Sequence, residues 1–248
     1  MSTAFFAHAW ASTPERLALA AVVTLCFALL ARAVRGVSRS GAFAGGGACF
    51  ALFAGAGPGA FATLGALFAA TWVSTRAGYR RKQELGLAER REGRNAGQVL
   101  ANLAVAAAGA LVFGATGNVA CLVAVAAALA EAATDTVASE VGQAQRRDAW
   151  MITTGVRVSA GTDGGITLFG TVAGLAAGLA IAVVAAACGV VTRQRMWIPV
   201  VAGFVGMLAD SAMGATIQRR GWISNQGVNF VATLIAAGMA YGIVIFSG

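Results

Sequence analysis

The chain is short of charge, of histidine and of lysine, and each shortage removes a class of function. Only 11% of its 248 residues are charged, where a soluble domain carries roughly a quarter. The one histidine, His8, lies near the N-terminus and reads as a surface residue. A zinc or haem site and a Ser-His-Asp relay are therefore unsupported. The four cysteines, Cys26, Cys49, Cys121 and Cys188, stand singly inside apolar segments with no C-x-x-C spacing. They read as small core hydrophobes. Lys82 is the sole lysine, and G-x-x-x-x-G-K-[ST] is absent, so a P-loop is excluded. No basic residue precedes Arg16, which argues against a usual cleaved signal peptide. No run of alternating strands supports a β-barrel.

What remains is hydrophobic. Apolar residues make up 58% of the chain, and mean hydropathy is +0.74. Only helices and closed barrels satisfy their backbone in lipid. The expectation is an all-α integral membrane protein, a single polytopic domain over residues 1–248. A span needs about 20 mostly apolar residues. Eight candidates follow, at roughly 16–37, 40–56, 58–75, 97–114, 117–138, 165–191, 197–217 and 227–246. The second and third are Gly-rich and separated only by the tight turn Gly57-Pro58-Gly59, so this pair reads as two spans or as a re-entrant hairpin. Small-residue spacings such as Gly174/Gly178 and Gly238/Gly242 suit close helix packing but specify no oligomer.

The net charge of +8 reads as topology rather than as nucleic-acid binding. In the eight-span layout, alternate loops hold fifteen basic residues on one side, Arg146 and Arg147 among them, against three (Arg16, Arg193, Arg195) on the other. The positive-inside rule puts the richer side in the cytoplasm and both termini outside, in a multi-pass plasma-membrane protein. The basic loop 76–98 is the main soluble excursion. Its Arg/Glu mixture reads either as a short amphipathic helix at the cytoplasmic surface or as a solvated loop beside anionic lipid.

With only ten acidic residues in the chain, carboxylates inside apolar segments stand out. Asp135 and Glu140 lie in Ala132–Glu140, and Asp210 lies in Leu208–Gln218. A charge near hydrocarbon costs several kcal/mol and usually marks a functional site. Helical spacing groups the polar residues into stripes: Arg94, Gln98, Asn102; Glu131, Asp135, Ser139; Asp210, Gly214, Gln218; and Asn225, Asn229. Glu140 is rotated away from Asp135, so the two need not share a ligand. Taken singly, each stripe is explained by interhelical hydrogen bonds. Their convergence on one membrane face, with three carboxylates, favours a site. The loop Ser159–Ile166 precedes a long apolar helix, and Thr162 or Asp163 is placed to cap it. Its glycines free backbone N–H groups for phosphate. Carboxylates for Mg²⁺, with arginines and N–H groups for phosphate, fit phosphoryl transfer, which needs mainly positioning and charge neutralisation.

Four ordered segments, Arg94–Asn102, Thr134–Gly142, Gly161–Thr171 and Asp210–Gln218, resemble an integral-membrane family formerly of unknown function. It includes the plant chloroplast phytyl-phosphate kinase and an uncharacterised animal transmembrane protein. The resemblance covers about residues 76–246, and Asn225 and Asn229 match a further Asn-rich stretch. Thr134 stands where Gly or Ala is more usual in the family. The Asp135–Glu140 segment is also similar to polyprenol kinases and membrane cytidylyltransferases.

The resemblance implies a kinase converting a prenyl monophosphate into the diphosphate, with CTP or ATP as donor. On this reading Asp135, Glu140 and Asp210 are the catalytic, Mg²⁺-holding residues, with Glu131 a further candidate. Arg94, Asn95, Gln98, Asn102, Thr162, Gly164, Gly165, Ser211, Gln218, Asn225 and Asn229 would bind phosphate or nucleotide. The isoprenoid tail would lie between Ala/Gly-rich helices. Rival readings are a lipid-phosphate or anion transporter or flippase, which would use the carboxylates as ion sites, and a CTP-dependent lipid cytidylyltransferase.

Overall fold

A computed structural model describes residues 14–145 and 149–247; His8, Arg146 and Arg147 lie outside the described residues. The helices are α1 (Pro14–Ala33), α2 (Arg39–Ala56), α3 (Pro58–Arg76), the short α4 (Tyr79–Glu84), α5 (Ala96–Thr116), α6 (Val119–Ala144), α7 (Leu168–Ala187), α8 (Trp197–Met213) and α9 (Asn225–Phe246). A π-helical turn, Gly214–Gln218, continues α8. Every segment expected to span is helical. Six of these stretches are long and apolar enough to cross a membrane: α1, α5, α6, α7, the 193–218 segment and α9. The Gly-rich α2 and α3 are not among them. They form a helical hairpin whose turn is made by Gly57 at φ +87° with Pro58 starting the next helix. Arg16 reaches across from α1 to donate to the Phe53 carbonyl at 2.7 Å.

The bundle is organised around α6, which packs against α3, α5, α7, α8 and α9. Ala126, Ala127, Ala128, Leu129 and Ala130 are 0% exposed. An α-helix buried all round over consecutive residues must be central, and its alanines let neighbouring backbones approach closely. Gly170, Gly174 and Gly178 on α7 take that approach furthest. A methyl at Gly174 or Gly178 would collide with the Thr134 carbonyl or hydroxyl. The other small-residue pair, Gly238/Gly242, behaves differently, since among the described residues no other part of the fold lies within 4 Å of a Cβ added there. α1, in contrast, turns Val22, Leu25 and Leu29 outward, each about 60% exposed, as a lipid-facing helix should.

Two features depart from the expected all-helical plan in detail. The segment between α6 and α7 forms a small antiparallel sheet of order β2-β1-β3, from β1 (Ala149–Met151), β2 (Arg157–Val158) and β3 (Gly165–Ile166). Strands of two or three residues are too short to leave an alternating pattern. Their pairing sets the start of α7 at Leu168, not 165. The cap is therefore Thr167, whose hydroxyl accepts from Gly170 N at 3.0 Å. Thr162 and Asp163, the caps expected from sequence, lie in the β2–β3 turn instead. The basic 76–98 loop contains one short helix, α4, and it is anchored inward. Lys82 is fully buried and donates to the Ser74 carbonyl at 3.1 Å, the Thr75 carbonyl at 2.8 Å and Glu140.

Candidate active site

Two cavities open at the end of the bundle where α1, α3, α6 and α8 finish and α5, α7 and α9 begin. The smaller, about 130 Å³, is polar. Asp135 and Ser139 of α6, Asp210 and Ser211 of α8, Gln218 of the π turn and Asn225 at the start of α9 all line it. The loop residues Thr162, Asp163, Gly164 and Gly165 close it. Residues from three of the polar stripes thus meet the glycine loop in one place.

Local backbone chemistry holds this arrangement. Gly164 sits at φ +78°, and a Cβ there would lie 2.5 Å from Ala215 N. A Cβ at Gly214 would lie 3.0 Å from Gly164 N. The loop and the π turn are therefore in backbone contact, which only glycine permits at both positions. π-helical turns occur often at functional sites because the wider turn re-aims side chains. Thr162 closes the loop with its hydroxyl on the Ser159 carbonyl at 2.8 Å, and Gly165 N donates to the Thr162 carbonyl at 2.8 Å.

The electrostatics of the pocket are dominated by its acids. A charge on Asp210 is opposed by Asp135 and by Asp163, while the Arg94 guanidinium attracts Asp135. Asp210 Oδ2 is buried with no hydrogen-bond partner among the described residues. Both oxygens of Glu131, one turn below Asp135, are also buried and unpartnered. Glu131 sits outside the pocket lining, against Gly203 and Gly206 of α8, where a Cβ at Gly206 would lie 2.5 Å from its Cγ.

Glu140 is directed elsewhere. It pairs with Lys82 and accepts from the Thr75 hydroxyl at 2.9 Å, and it does not line the polar pocket. Asn95 and Gln98 are also engaged locally. They form a capping box at the start of α5, with Asn95 Oδ1 accepting from Gln98 N and Gln98 Oε1 from Asn95 N. Gln98 Nε2 donates to Glu89 at 2.9 Å. Asn229 lines neither cavity.

The larger cavity, about 470 Å³, lies among α1, α2, α3 and α5 and takes Arg94, Gln98 and Asn102. The Arg-Gln-Asn stripe and the glycine loop, expected to hold phosphate together, thus open into separate cavities. Arg94 links the two, since its Nη1 lies 3.5 Å from Thr136 Oγ1, next to Asp135. The sequence did not single out Lys82 as buried; its standing as the only lysine is the one mark it carries.

The family model described as "Integral membrane protein DUF92" matches residues 22–237. The chain belongs to this family. The match includes α2 and α3 and most of α1, so family likeness begins well before the 76–246 stretch over which the sequence resembles the family. An uncharacterised membrane protein of Synechocystis is 34% identical over 181 residues, 68% of this chain and 67% of that protein. An uncharacterised membrane protein of Methanocaldococcus jannaschii is 34% identical over 127 residues, 48% of each. The chloroplastic protein VTE6 of Arabidopsis thaliana is 30% identical over 188 residues, covering 71% of this chain and 55% of VTE6. The matched segments span about half the length of the archaeal and plant relatives. No solved structure matches.

Proposed function

We propose that this DUF92 protein is a membrane-embedded prenyl-phosphate kinase, transferring a phosphoryl group from a nucleoside triphosphate to an isoprenoid monophosphate. The observation that carries the reading is the gathering of Asp135, Asp210 and the Thr162–Gly165 loop around one polar cavity at the end of the bundle. The likeness to VTE6 supports it, because the motifs of this chain resemble the family that includes phytyl-phosphate kinase. The positive-inside rule favours a cytoplasmic position for the cavity, where nucleotide is available.

The residues fit a magnesium ion shared with nucleotide. Mg²⁺ is usually held by one or two carboxylates, with phosphate oxygens and water completing the octahedron. Asp135 and Asp210 supply two, and the unpartnered Oδ2 of Asp210 is a free ligand atom. Among the described residues no group of three His, Cys, Asp or Glu could hold a metal alone, which suits an ion that arrives with phosphates. When bound, the ion would be held by Asp135 and Asp210 and would supply positive charge that offsets the charge of the phosphates. A cavity of about 130 Å³ is below the roughly 300–1,000 Å³ of whole-ligand pockets, so it takes the phosphate end of a nucleotide rather than all of it.

In the reaction, an oxygen of the prenyl phosphate attacks the γ-phosphorus. The bond to the β–γ bridging oxygen breaks, and nucleoside diphosphate leaves. The nucleophile is already an anion, so no general base is needed, in keeping with a pocket that has no histidine. Arg94, between the two cavities, neutralises charge on the transferred group. The glycine loop brings backbone up to the pocket without side chains in the way. The test is turnover of the purified protein in lipid nanodiscs with prenyl monophosphates and each nucleoside triphosphate. Formation of the prenyl diphosphate supports the kinase. A CDP-lipid product replaces it with a cytidylyltransferase, and no product with any pair removes it.

A further inference from the structure

The larger cavity is built unlike the polar one. Its depth is apolar, walled by Phe27, Leu64, Leu67 and Phe68, with Val99 and Leu103 opposite. Its mouth carries five arginines, Arg35, Arg76, Arg90, Arg91 and Arg94, against a single carboxylate, Glu89. That carboxylate is taken up by neutral donors: Arg90 N reaches one oxygen and Gln98 Nε2 the other, both at 2.9 Å. Arg76 is spent on the carbonyls of Trp72 and Val34 and on the Trp72 ring. Among the described residues no carboxylate pairs with Arg35, Arg90 or Arg91, while Arg94 faces Asp135 and Thr136. Deeper in, Asn102 is 7% exposed, and its Oδ1 has no partner.

Arg35 adds an independent mark. It is the only non-glycine at positive φ among the described residues, at +54°. It is the second residue beyond α1, just before Gly36, whose N bonds back to the Ala31 carbonyl at 2.9 Å. In this kind of helix ending the left-handed position is usually glycine, because a Cβ there is strained. An arginine held in such a conformation is a sign of function. The strain is locked in by the neighbouring chain: Arg94 N donates to the Gly36 carbonyl and Ser38 N to the Arg94 carbonyl. That parallel bridge pins Arg94 beside Arg35 at one rim.

We propose that this cavity is the binding site for the single-tail lipid monophosphate, with the hydrocarbon between α1, α2, α3 and α5 and the phosphate at the arginine rim. The inference rests on the kinase reading for its ligand class. The two cavities then hold acceptor and donor at the same end of the bundle, with Arg94 and the Asp135–Thr136 step between them. An apolar depth excludes free phosphate and sugar phosphates. An unpaired guanidinium rim selects against the neutral alcohol, and arginine forks match phosphate geometry.

The test is direct binding to the full chain in detergent, without nucleotide or magnesium, using geranylgeranyl monophosphate, geranylgeraniol and phosphatidic acid. The monophosphate is expected to bind at least tenfold more tightly than the alcohol or phosphatidic acid. Arg35→Gly relieves the backbone strain, so its thermal midpoint should equal or exceed wild type while monophosphate affinity falls at least fivefold. A purely structural arginine would not give that opposition. Gly45 lines the cavity, and a Cβ there meets only Val99, at 3.6 Å. Gly45→Phe should therefore fill the cavity and cut affinity at least tenfold; Ala42→Leu serves if that variant does not fold. Unchanged affinity in Arg35→Gly or in the folded filling variant overturns the proposal, as does phosphatidic acid binding as tightly as the monophosphate. Binding with this pattern but no diphosphate product removes the kinase reading and leaves the site standing.

Discussion

Replacing Glu140 with leucine is expected to destabilise the protein severely, and replacing Lys82 as well is expected to restore it. The Lys82 side chain is 0% exposed and that of Glu140 13%. Breaking a buried pair leaves one charge without its partner, at a cost of about 3–5 kcal/mol. Either single variant, Glu140→Leu or Lys82→Met, should fall in that range. The double variant has no stranded charge. It loses the lysine bonds to the Ser74 and Thr75 carbonyls and the Thr75 hydroxyl bond to Glu140, at about 0.5–1.5 kcal/mol each. The double should thus cost about 1.5–4.5 kcal/mol, against about 6–10 for the two singles added. The difference is a coupling of at least about 1.5 kcal/mol, of the size contacting residues show. At roughly 2–4 °C per kcal/mol for a chain of this length, each single should lower the thermal midpoint by about 10 °C. Tryptophan fluorescence in detergent reads the midpoint, and prenyl-diphosphate formation reads turnover. A double variant that is stable and active assigns Glu140 to anchoring α4 against the ends of α3 and α6. A double variant that regains stability but stays as inactive as Asp135→Asn would refute this and return Glu140 to the metal site.

The other expectations concern the polar pocket and its frame. Asp135→Asn and Asp210→Asn should each lower turnover at least about 100-fold, as loss of a charge-stabilising group does, while circular dichroism and the thermal midpoint stay close to wild type. Wild-type turnover in either would take that residue out of the proposed site. Gly164→Val should cost about 2–4 kcal/mol, since it adds left-handed strain to a collision with the Ala215 backbone. Either the thermal midpoint drops or, if the loop is displaced instead, nucleotide affinity is lost; a stable variant with normal nucleotide affinity would show that the loop is not held against the π turn. Thr167→Ala removes the true cap of α7 and should cost about 1 kcal/mol, whereas Thr162→Ala should leave the midpoint within about 0.5 kcal/mol. The reverse order would put the cap back in the β2–β3 turn.

Hydropathy, the shortage of acidic residues and helical spacing are local properties, and they made most of the bundle readable from the chain. Apolar runs of this length admit only helices in lipid, so every expected span is helical to within a few residues at its ends. The stripe containing Asp210, Gly214 and Gln218 was visible because residues four apart share a face, and all of them line one cavity. Thr162 and Asp163 do not cap α7 because the helix starts later than its apolar run suggests. The pairing of Gly165–Ile166 with Trp150–Met151 uses the first residues of that run as a strand and moves the cap to Thr167.

By itself, then, the sequence determined that the chain is an α-helical membrane protein, where its helices run, and which polar residues interrupt them, because each depends on neighbours within a turn or two of helix. The tertiary structure decided how those residues are shared out. It put Asp135 and Asp210 against the glycine loop, sent Arg94 and Asn102 to the larger cavity among α1, α2, α3 and α5, and gave Glu140 to Lys82 from 58 residues away. Such partnerships depend on which face of the central helix each side chain leaves and on which helix packs there. That is fixed by the all-round burial of α6 and the glycine contacts of its neighbours, not by spacing along the chain.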